Sequence, residues 1–426
     1  MTNFLRFIAA IPLVLASICA RAQMLPPDDA LLPFSRYVAV RDRMIMGFDA
    51  PGVRVGSFRL QPSMDVTGNY NDNAFALASP RVGAGYIAIS PSATLQSNWS
   101  NRSLTLGTSG EIDRFFTHTS ENTESVNASA YGTQDLGTNT RVRLITRYQQ
   151  ARESRESQNS VALTERPIRY EAETGAFGLS HRFSSVLVSG QAGVTRSNYF
   201  DGRLQRDGSL VSQQYRNSDN FELRLRTEVA QSQALSYFAQ VTRDATSFSR
   251  DSVSDVLRES KGYEILGGVR FELPVLARGE IGIGYQNSSF RDTKFRTFSG
   301  LAINSSVMFF PSQLTTITVN ARRNVNNEAA LRASSSYTAL SGGVRVDHEL
   351  LRTLILGAGI DLEGDTFNGL NRSDQRIAVN ATADWRFTPR LSLRTAYDRL
   401  DLTSNGVDLY KSFARNRFTI GIGVRL

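Results

Sequence analysis

Three observations predict an all-β chain that forms a transmembrane antiparallel up-and-down β-barrel of about 18 strands in a bacterial outer membrane. First, the end of the chain alternates, with apolar residues at Phe418, Ile420, Ile422, Val424 and Leu426 and small or polar residues between them. Second, the same period of two recurs along much of the sequence. Third, short and long connections alternate between these segments. Such strands offer one face to lipid and one to an aqueous lumen, and closing the sheet removes its open edges.

The N-terminus is typical of a secretory signal peptide, predicted at residues 1–22. Arg6 precedes an apolar run at residues 7–18, and residues 20–22, Ala-Arg-Ala, have the small-x-small form of a cleavage site. The alternative is a lipoprotein anchored at Cys19, but Ile18 lies where a small residue normally precedes a lipidated cysteine. The sequence has one cysteine, so cleavage would leave none. A disulfide scaffold, a thiolate metal site and a cysteine nucleophile are therefore excluded.

Residues 23–52 are predicted to be a short periplasmic lead-in, and residues 53–426 the barrel. Pro26, Pro27, Pro33 and Pro51 break regular structure in the lead-in. About 30 residues are too few for the plug domain of a large gated transporter.

The strand predictions rest on alternating segments. The clearest of these are residues 58–70, 104–115, 141–148, 221–229, 265–273, 314–322, 340–346, 354–362, 377–387 and 391–397. Residues 418–426 are predicted to close the barrel by pairing with residues 58–70. Pro62 and Pro91 each remove a ladder hydrogen bond and predict bulges or strand ends. Alternation is lost at Ala176-Phe177, which predicts another bulge.

The connections alternate in length. Short turns are predicted at residues 135–139, 182–185, 231–233, 274–278, 311–313, 349–352 and 388–390, three of which contain proline (Pro274, Pro311 and Pro389). Longer polar connections are predicted at residues 151–166, 198–216, 249–260, 324–332 and 403–412. An outer-membrane barrel has this asymmetry because its long loops face outward. A soluble β-sandwich has no reason to keep it.

The amino-acid composition says less about the class of protein than the alternation of connection lengths does. Hydrophobic residues make up 41% of the chain, which suits a soluble protein and an alternating barrel equally. The formal net charge is +8, and the only lysines are Lys261, Lys294 and Lys411. A basic chain could bind nucleic acid. This protein is expected to be exported, and its arginines are spread along alternating strands. We therefore predict no nucleic-acid partner.

Many charged residues fall opposite the apolar positions of the strands and are predicted to line the lumen along the substrate path. They include Arg59, Arg141, Arg143, Arg224, Arg226, Arg270, Arg322, Arg345, Arg394, Glu222, Glu228 and Asp384. One interpretation is that opposite charges form ladders that stiffen the wall. Another is that fixed guanidinium groups favour anionic solutes, since rings of charge set selectivity in pores. A lumen with both signs could also bind neutral or acidic sugars, and the residues alone do not decide between these.

The sequence predicts no enzyme, no cofactor and no metal site. His118, His181 and His348 belong to separate hairpins and lack the spacing of metal ligands. His348 beside Asp347 is the one local acid–histidine pair, and it is expected at a periplasmic turn. Glycines such as Gly282 recur on the predicted lumen face, where they allow curvature and close approach.

The segment around the first strand resembles the opening of a family of outer-membrane β-barrel porins associated with exopolysaccharide or capsule export. The matching residues are Gly52, Arg54, Gly56, Ser57, Phe58, Leu60, Pro62, Ser63, Tyr70, Asp72, Asn73 and Phe75. The resemblance covers about residues 45–426 and departs at the end, where such barrels often finish on an aromatic residue and this chain has Leu426. It implies export of a polysaccharide across the outer membrane, with a periplasmic polysaccharide-export protein as partner.

Three functions follow as hypotheses. The first is a conduit for exopolysaccharide or capsular polysaccharide, which is the substrate and partner that the resemblance implies. The second is a general porin, or one selective for anions or oligosaccharides. The third is a structural or adhesive surface barrel with a blocked lumen. In each case the expected location is the cell outer membrane of a Gram-negative bacterium, with outer-membrane lipid and the barrel assembly machinery as further partners.

Overall fold

The fold is taken from a computed structural model. The structure describes residue 31 and residues 38–45, 47–157, 160, 164–249, 257–273, 276–327, 334, 336–407 and 411–426. The predicted signal peptide lies outside the described residues, as do residues 23–30 and 32–37 of the predicted lead-in.

The described part of the chain forms a single closed barrel of eighteen antiparallel strands. In chain order these are β1 (Phe58–Asn71), β2 (Ala84–Ser97), β3 (Arg102–Phe115), β4 (Thr123–Leu136), β5 (Thr140–Arg152), β6 (Arg169–Phe183), β7 (Val186–Tyr199), β8 (Ser218–Ala230), β9 (Leu235–Phe248), β10 (Ser260–Leu273), β11 (Ala277–Phe290), β12 (Phe298–Ser312), β13 (Thr315–Asn326), β14 (Ser336–Leu351), β15 (Leu354–Asn368), β16 (Arg372–Arg386), β17 (Leu391–Gly406) and β18 (Phe413–Arg425). Each strand pairs with the next along the chain. The predicted fold class is therefore confirmed.

The last strand closes the barrel on the first. Arg425 of β18 lies opposite Ser63 of β1, and the pairing continues without a break to Arg417 opposite Asn71. This is the pairing that the terminal alternation predicts. Val53–Val55 adds a short antiparallel segment beside the start of β1, and Gly202–Arg203 pairs with Leu210–Val211 in one of the connections.

The two faces of the wall differ as the alternation predicts. On β18, Phe418, Ile420 and Ile422 are more than half exposed on the bare barrel surface. Apolar side chains in this position lie against lipid when the barrel is in a membrane. Residues between them, such as Gly421 and Gly423, are buried on the inner face. Among the described residues, no helix is long and apolar enough to span a membrane.

Connections at one end of the barrel are two to four residues long, whereas at the other end they have three to eighteen residues. The short end is called the periplasmic end here and the long end the outer end, because outer-membrane barrels have short periplasmic turns. All the predicted short turns fall at the periplasmic end. Pro389 lies in the turn between β16 and β17, and Pro311 lies in the last residues of β12. Pro274 is outside the described residues.

The predicted irregularities have mixed outcomes. Pro62 lies beside the seam where β1–β18 pairing begins, so it ends the ladder there. Near Pro91 the β2–β3 pairing is interrupted between Ile89 and Ser92, but the register does not shift. The predicted bulge at Ala176-Phe177 is wrong, because both neighbours of β6 keep a continuous register through it. Gly175 and Gly178 beside this site are small residues that hide the alternation in the sequence without breaking the strand.

Candidate functional site

The predicted lumen residues lie on the strand face opposite the exposed apolar residues. On β8, Phe221, Leu223, Leu225 and Val229 are exposed outward, and Glu222, Arg224, Arg226 and Glu228 alternate with them and are less exposed. The same parity places the other predicted residues inward: Arg59 on β1, Arg141 and Arg143 on β5, Arg270 on β10, Arg322 on β13, Arg345 on β14, Asp384 on β16 and Arg394 on β17. Arg59 and Arg322 are exposed to solvent, whereas Arg143 and Arg226 are buried. Their role in a substrate path stays a prediction.

One sector of the wall concentrates arginine. Arg141, Arg143 and Arg147 share the inner face of β5, and Arg224 and Arg226 share that of β8. Between them, the neighbouring inner-face residues of β6 and β7, such as Gly178, Ser180, Ser189 and Gln191, are small or uncharged, so the guanidinium groups can lie along the wall. Gly178 of β6 illustrates this, because a Cβ added there would be 3.3 Å from Nε of Arg143. We call this set of five arginines the arginine wall.

A glutamate and a phenylalanine connect the arginine wall to the next sector. Arg226 donates to both carboxylate oxygens of Glu280 on β11, at 3.0 and 2.8 Å. Its guanidinium lies 3.8 Å from the ring centre of Phe238 on β9. Phe238 can lie flat because Gly268 and Gly282 line the adjoining wall, where an added Cβ would meet its ring at 2.6 and 3.1 Å. The lumen glycines thus permit close approach, as their positions in the sequence suggest.

Other inner-face pairs form ladders of opposite charge. Arg224 donates to Glu222 at 3.0 Å, and Arg345 lies 3.0 Å from Asp347 on the same strand. Arg394 lies 3.5 Å from Asp384. A pair that is partly open to water stabilises a fold by about 0–1 kcal/mol. These ladders fix side-chain positions along the lumen more than they add stability.

Part of the predicted lead-in lies inside the periplasmic end of the barrel. Arg41 donates to Asp347 at 2.5 Å, to Asp384 at 2.6 Å and to Thr382 at 2.9 Å, all on the inner wall. The backbone N–H of Val40 donates to Thr316 Oγ1 at 3.0 Å, and Val40 is only 2% exposed. We call residues 38–45 and 47–49 the inner segment.

Two further ion pairs hold the inner segment. Arg43 lies 3.3 Å from Glu349 on β14, and Asp49 accepts a hydrogen bond from Arg386 on β16 at 2.9 Å. The contacts of the inner segment thus extend across the inner faces of β13, β14 and β16. Sequence reasoning missed these contacts, since nothing in residues 38–49 alternates or repeats. Four charges in nine residues, at Arg41, Asp42, Arg43 and Asp49, were the available signal.

The outer end is crossed by loops that ion pairs hold together. Glu156 accepts two 2.7 Å hydrogen bonds from Arg415 of β18, which is far from it along the chain. Its neighbour Arg155 donates to both oxygens of Glu121, each at 2.9 Å. Arg216 donates to both oxygens of Glu153, at 3.0 and 2.7 Å. Residues 153–156 therefore join three different parts of the outer rim.

The charge of Glu156 is stabilised by its surroundings. Burial alone would raise the pKa of this carboxyl, but the charge and hydrogen bonds of Arg415, together with Arg417 and Arg376, lower the pKa below its ordinary value. The residue is therefore ionised at neutral pH, and its pair with Arg415 persists there.

The residues of the first-strand motif fasten the barrel. Gly56 has a φ of +58° in the turn between Val53–Val55 and β1, which favours glycine. At the other end of β1, Asp72 accepts hydrogen bonds from the backbone N–H and side chain of Asn416, at 2.6 and 2.7 Å. Asn73 is fully buried and donates to the carbonyls of Leu77 and Ala414, at 2.7 and 3.0 Å. The end of the motif thus ties the β1–β2 loop to the closing strand.

The three histidines lie apart from one another in this arrangement. Nδ1 of His181 lies 2.7 Å from Thr140 Oγ1, and Nδ1 of His348 lies 3.0 Å from Thr315 Oγ1. His118 packs edge-to-face on Phe75. Within the described ranges, no group of three or more His, Cys, Asp or Glu residues could hold a metal ion.

A closed barrel with an apolar outer face, a charged inner face and long loops at one end defines a porin-like outer-membrane β-barrel. The chain belongs to the family described as "Putative beta-barrel porin 2", whose model matches residues 46–426.

Solved structures with a similar fold include outer-membrane proteins of two bacteria. OccK2 (OpdF) from Pseudomonas aeruginosa, in complex with glucuronate, has a TM-score of 0.46 at 9% identity, over 86% of this chain and 98% of that one. The outer membrane protein opdK from Pseudomonas aeruginosa has a TM-score of 0.44 at 9% identity, over 86% and 99%. The siderophore receptor PirA from Acinetobacter baumannii has a TM-score of 0.45 at 6% identity, over 86% and 80%. A search of curated protein sequences found no match.

Proposed function

We propose that this barrel is a porin that passes small hydrophilic solutes and favours anions. Barrels of 16–18 strands leave an aqueous channel, so size alone permits diffusion. The observation that carries the proposal is the arginine wall, with Arg141, Arg143 and Arg147 on β5 and Arg224 and Arg226 on β8. Fixed guanidinium groups along a narrow aqueous path raise the local concentration of anions.

The two ends of the barrel favour a small solute over a polymer. The inner segment contacts the wall at the periplasmic end, and residues 153–156 bridge the outer rim. A small solute can pass beside such elements. A polysaccharide chain would need both to move out of the lumen, which requires breaking several charge-assisted hydrogen bonds.

The proposal is tested by the reversal potential of the purified barrel in a planar bilayer under a potassium chloride gradient. We expect chloride to be more permeant than potassium. Replacing Arg224, Arg226 and Arg270 together by glutamine should reverse this preference, because Glu222, Glu228 and Glu280 then keep their charge but lose the arginines that pair with them.

The matched control replaces Arg114, Arg196 and Arg399 by glutamine. These arginines are exposed on the outward strand face, so the net charge of the chain changes equally. Chloride preference should persist in this control. Anion selectivity that survives in the lumen variant would refute the assignment of these arginines, and a barrel with no measurable conductance would refute the porin itself.

A conduit for exopolysaccharide or capsule is the second candidate, and the resemblance of residues 52–75 supports it. Its contacts with Asn416 and Ala414 give the end of that motif a role in closing the barrel, which any function would require. The test is deletion of the gene with measurement of secreted polymer, and of binding to a periplasmic polysaccharide-export protein. Reduced polymer output would favour the conduit, and unchanged output would remove it.

A further inference from the structure

A recess lies in the arginine wall, closer to the periplasmic end of the barrel than to the outer end. It is lined by Arg143, Ser189, Gly190, Gln191, Arg224 and Arg226. The residues come from β5, β7 and β8, and β7 contributes no charge to the recess. Arg143 and Arg226 are each 5% exposed. The recess is therefore part of a packed, charged wall and differs from an open surface groove.

The recess contains hydrogen-bond donors that other side chains do not use. Among the described residues, Nε2 of Gln191, Nε of Arg224 and Nε of Arg226 are buried and have no hydrogen-bond acceptor. Nη2 of Arg224 donates to Glu222, and both terminal nitrogens of Arg226 donate to Glu280, whereas the Nε atoms of the two arginines have no acceptor. A buried donor without an acceptor costs about 1–3 kcal/mol. Three such donors lining one recess indicate a site built for an acceptor.

We propose that this recess binds the carboxylate group of a small solute as it passes through the lumen. The proposal rests on the proposed porin function and adds a binding site to it. A carboxylate accepts about four hydrogen bonds and carries no donor, which matches a set of unmatched N–H groups. The recess is about the size of one water molecule, so it admits one carboxylate oxygen, and the rest of the solute would lie in the lumen, beside Ser189.

Gln191 is the residue to change, because it contributes a donor and no charge. The measurement is the chloride current through single channels as sodium gluconate is added. We expect gluconate to reduce the current saturably. Replacing Gln191 by leucine should raise the half-blocking concentration about fivefold, the equivalent of one hydrogen bond of about 1 kcal/mol.

The matched control is Gln96→Leu, which removes another glutamine from the inner face, on β2. Gluconate should block this variant at the same half-blocking concentration as the unchanged protein. Equal block in the Gln191 variant and the control would overturn the recess as a binding site. If chloride selectivity is present but gluconate never blocks, the subsite alone fails. If selectivity itself is absent, the porin proposal fails first.

The inner segment lies at the periplasmic end of the barrel, on a different sector of the wall from the recess. We infer that the inner segment is a resident plug whose release widens the lumen. Its hydrogen bonds converge on Arg41, which reaches Asp347, Thr382 and Asp384. The wall is shaped to receive this side chain, since a Cβ added at Gly357 would lie 2.6 Å from the Nη2 atom of Arg41.

Removing the Arg41 side chain and fixing the inner segment to the wall should have opposite effects on single-channel conductance. Arg41→Ala should raise single-channel conductance, because the segment loses three hydrogen bonds to charged or hydroxyl oxygens. In a chain that also carries Arg41→Ala, a disulfide between Val40→Cys and Thr316→Cys, placed where the backbone N–H of Val40 lies 3.0 Å from Thr316 Oγ1, should hold the conductance low until a reductant is added. Unchanged conductance in the alanine variant, together with no response to reductant in the cysteine pair, would overturn the plug.

Discussion

Asn73 is the residue whose loss should most weaken the closing seam. It lies just after β1, in the loop to β2, and is completely buried. Its side chain donates to the carbonyls of Leu77 and Ala414 and accepts from the N–H of Leu77, at 2.7, 3.0 and 3.0 Å. Ala414 is in the second position of β18. Asn73→Ala would therefore remove three hydrogen bonds, one of which joins the first strand region to the last.

The expected magnitude follows from these contacts. A hydrogen bond contributes about 0.5–1.5 kcal/mol net, so three contribute about 2–4 kcal/mol. The two carbonyls and one N–H left behind are in a buried region, which moves the estimate toward the upper end. Asp72→Ala removes two hydrogen bonds to Asn416 from a less buried position. Its cost should be smaller, about 1–3 kcal/mol.

The assay is urea unfolding of the barrel in lipid vesicles, followed by tryptophan fluorescence from Trp99 and Trp385. Asn320→Ala, on the exposed inner face of β13, is the control and should cost less than about 0.5 kcal/mol. The predicted order of loss in free energy of unfolding is Asn73, then Asp72, then the control. An Asn73 variant no weaker than the control would refute the view that this loop clasps the seam.

The remaining predictions concern the two ends of the lumen. Glu156→Gln should release residues 153–156 from Arg415 and increase cleavage of this loop by added protease. Because the folded state lowers the pKa of Glu156, its stabilising pair is present above the ordinary pKa and is lost as pH falls through the lowered one. Protection of the loop should therefore persist to about pH 5 and fail only in stronger acid, and loss of protection near neutrality would contradict this. Gly357→Ser should displace Arg41 and raise conductance as Arg41→Ala does, whereas Gly364→Ser, with open space for a side chain, should leave it unchanged.

The sequence was sufficient to predict the barrel because its signals are local. Alternation in residues 418–426 follows from one face meeting lipid and the other water, so it survives in a single sequence. The closure of β18 on β1 followed from the same reasoning. The prediction failed at Ala176-Phe177 because small residues remove the contrast between faces without changing the register.

The arrangement inside the barrel could be predicted only in part. Strand parity gives the face of each charged residue, including Arg226 and Glu228, but not its partner. Arg226 pairs with Glu280, three strands away, because Phe238 and the glycines beneath it leave room for the guanidinium. Such contacts depend on side-chain volume across several strands. The inner segment was beyond prediction for a similar reason, since its hydrogen bonds to the wall join residues more than 270 positions apart.

The inner segment and the anion preference are physically linked. Asp347 and Asp384 lie on the sector of wall where Arg41 binds. Each of them also pairs with one arginine of the wall, Asp347 with Arg345 and Asp384 with Arg394. Removing Arg41 therefore adds one uncompensated negative charge to the periplasmic end while it widens the lumen. Arg41→Ala should raise conductance and lower the chloride-to-potassium permeability ratio together. Arg41→Lys keeps the positive charge, but its single ammonium group cannot replace the planar guanidinium that reaches both aspartates and Thr382. This variant should therefore raise conductance with a smaller change in selectivity. Equal selectivity in all three proteins would show that the arginine wall alone sets the preference.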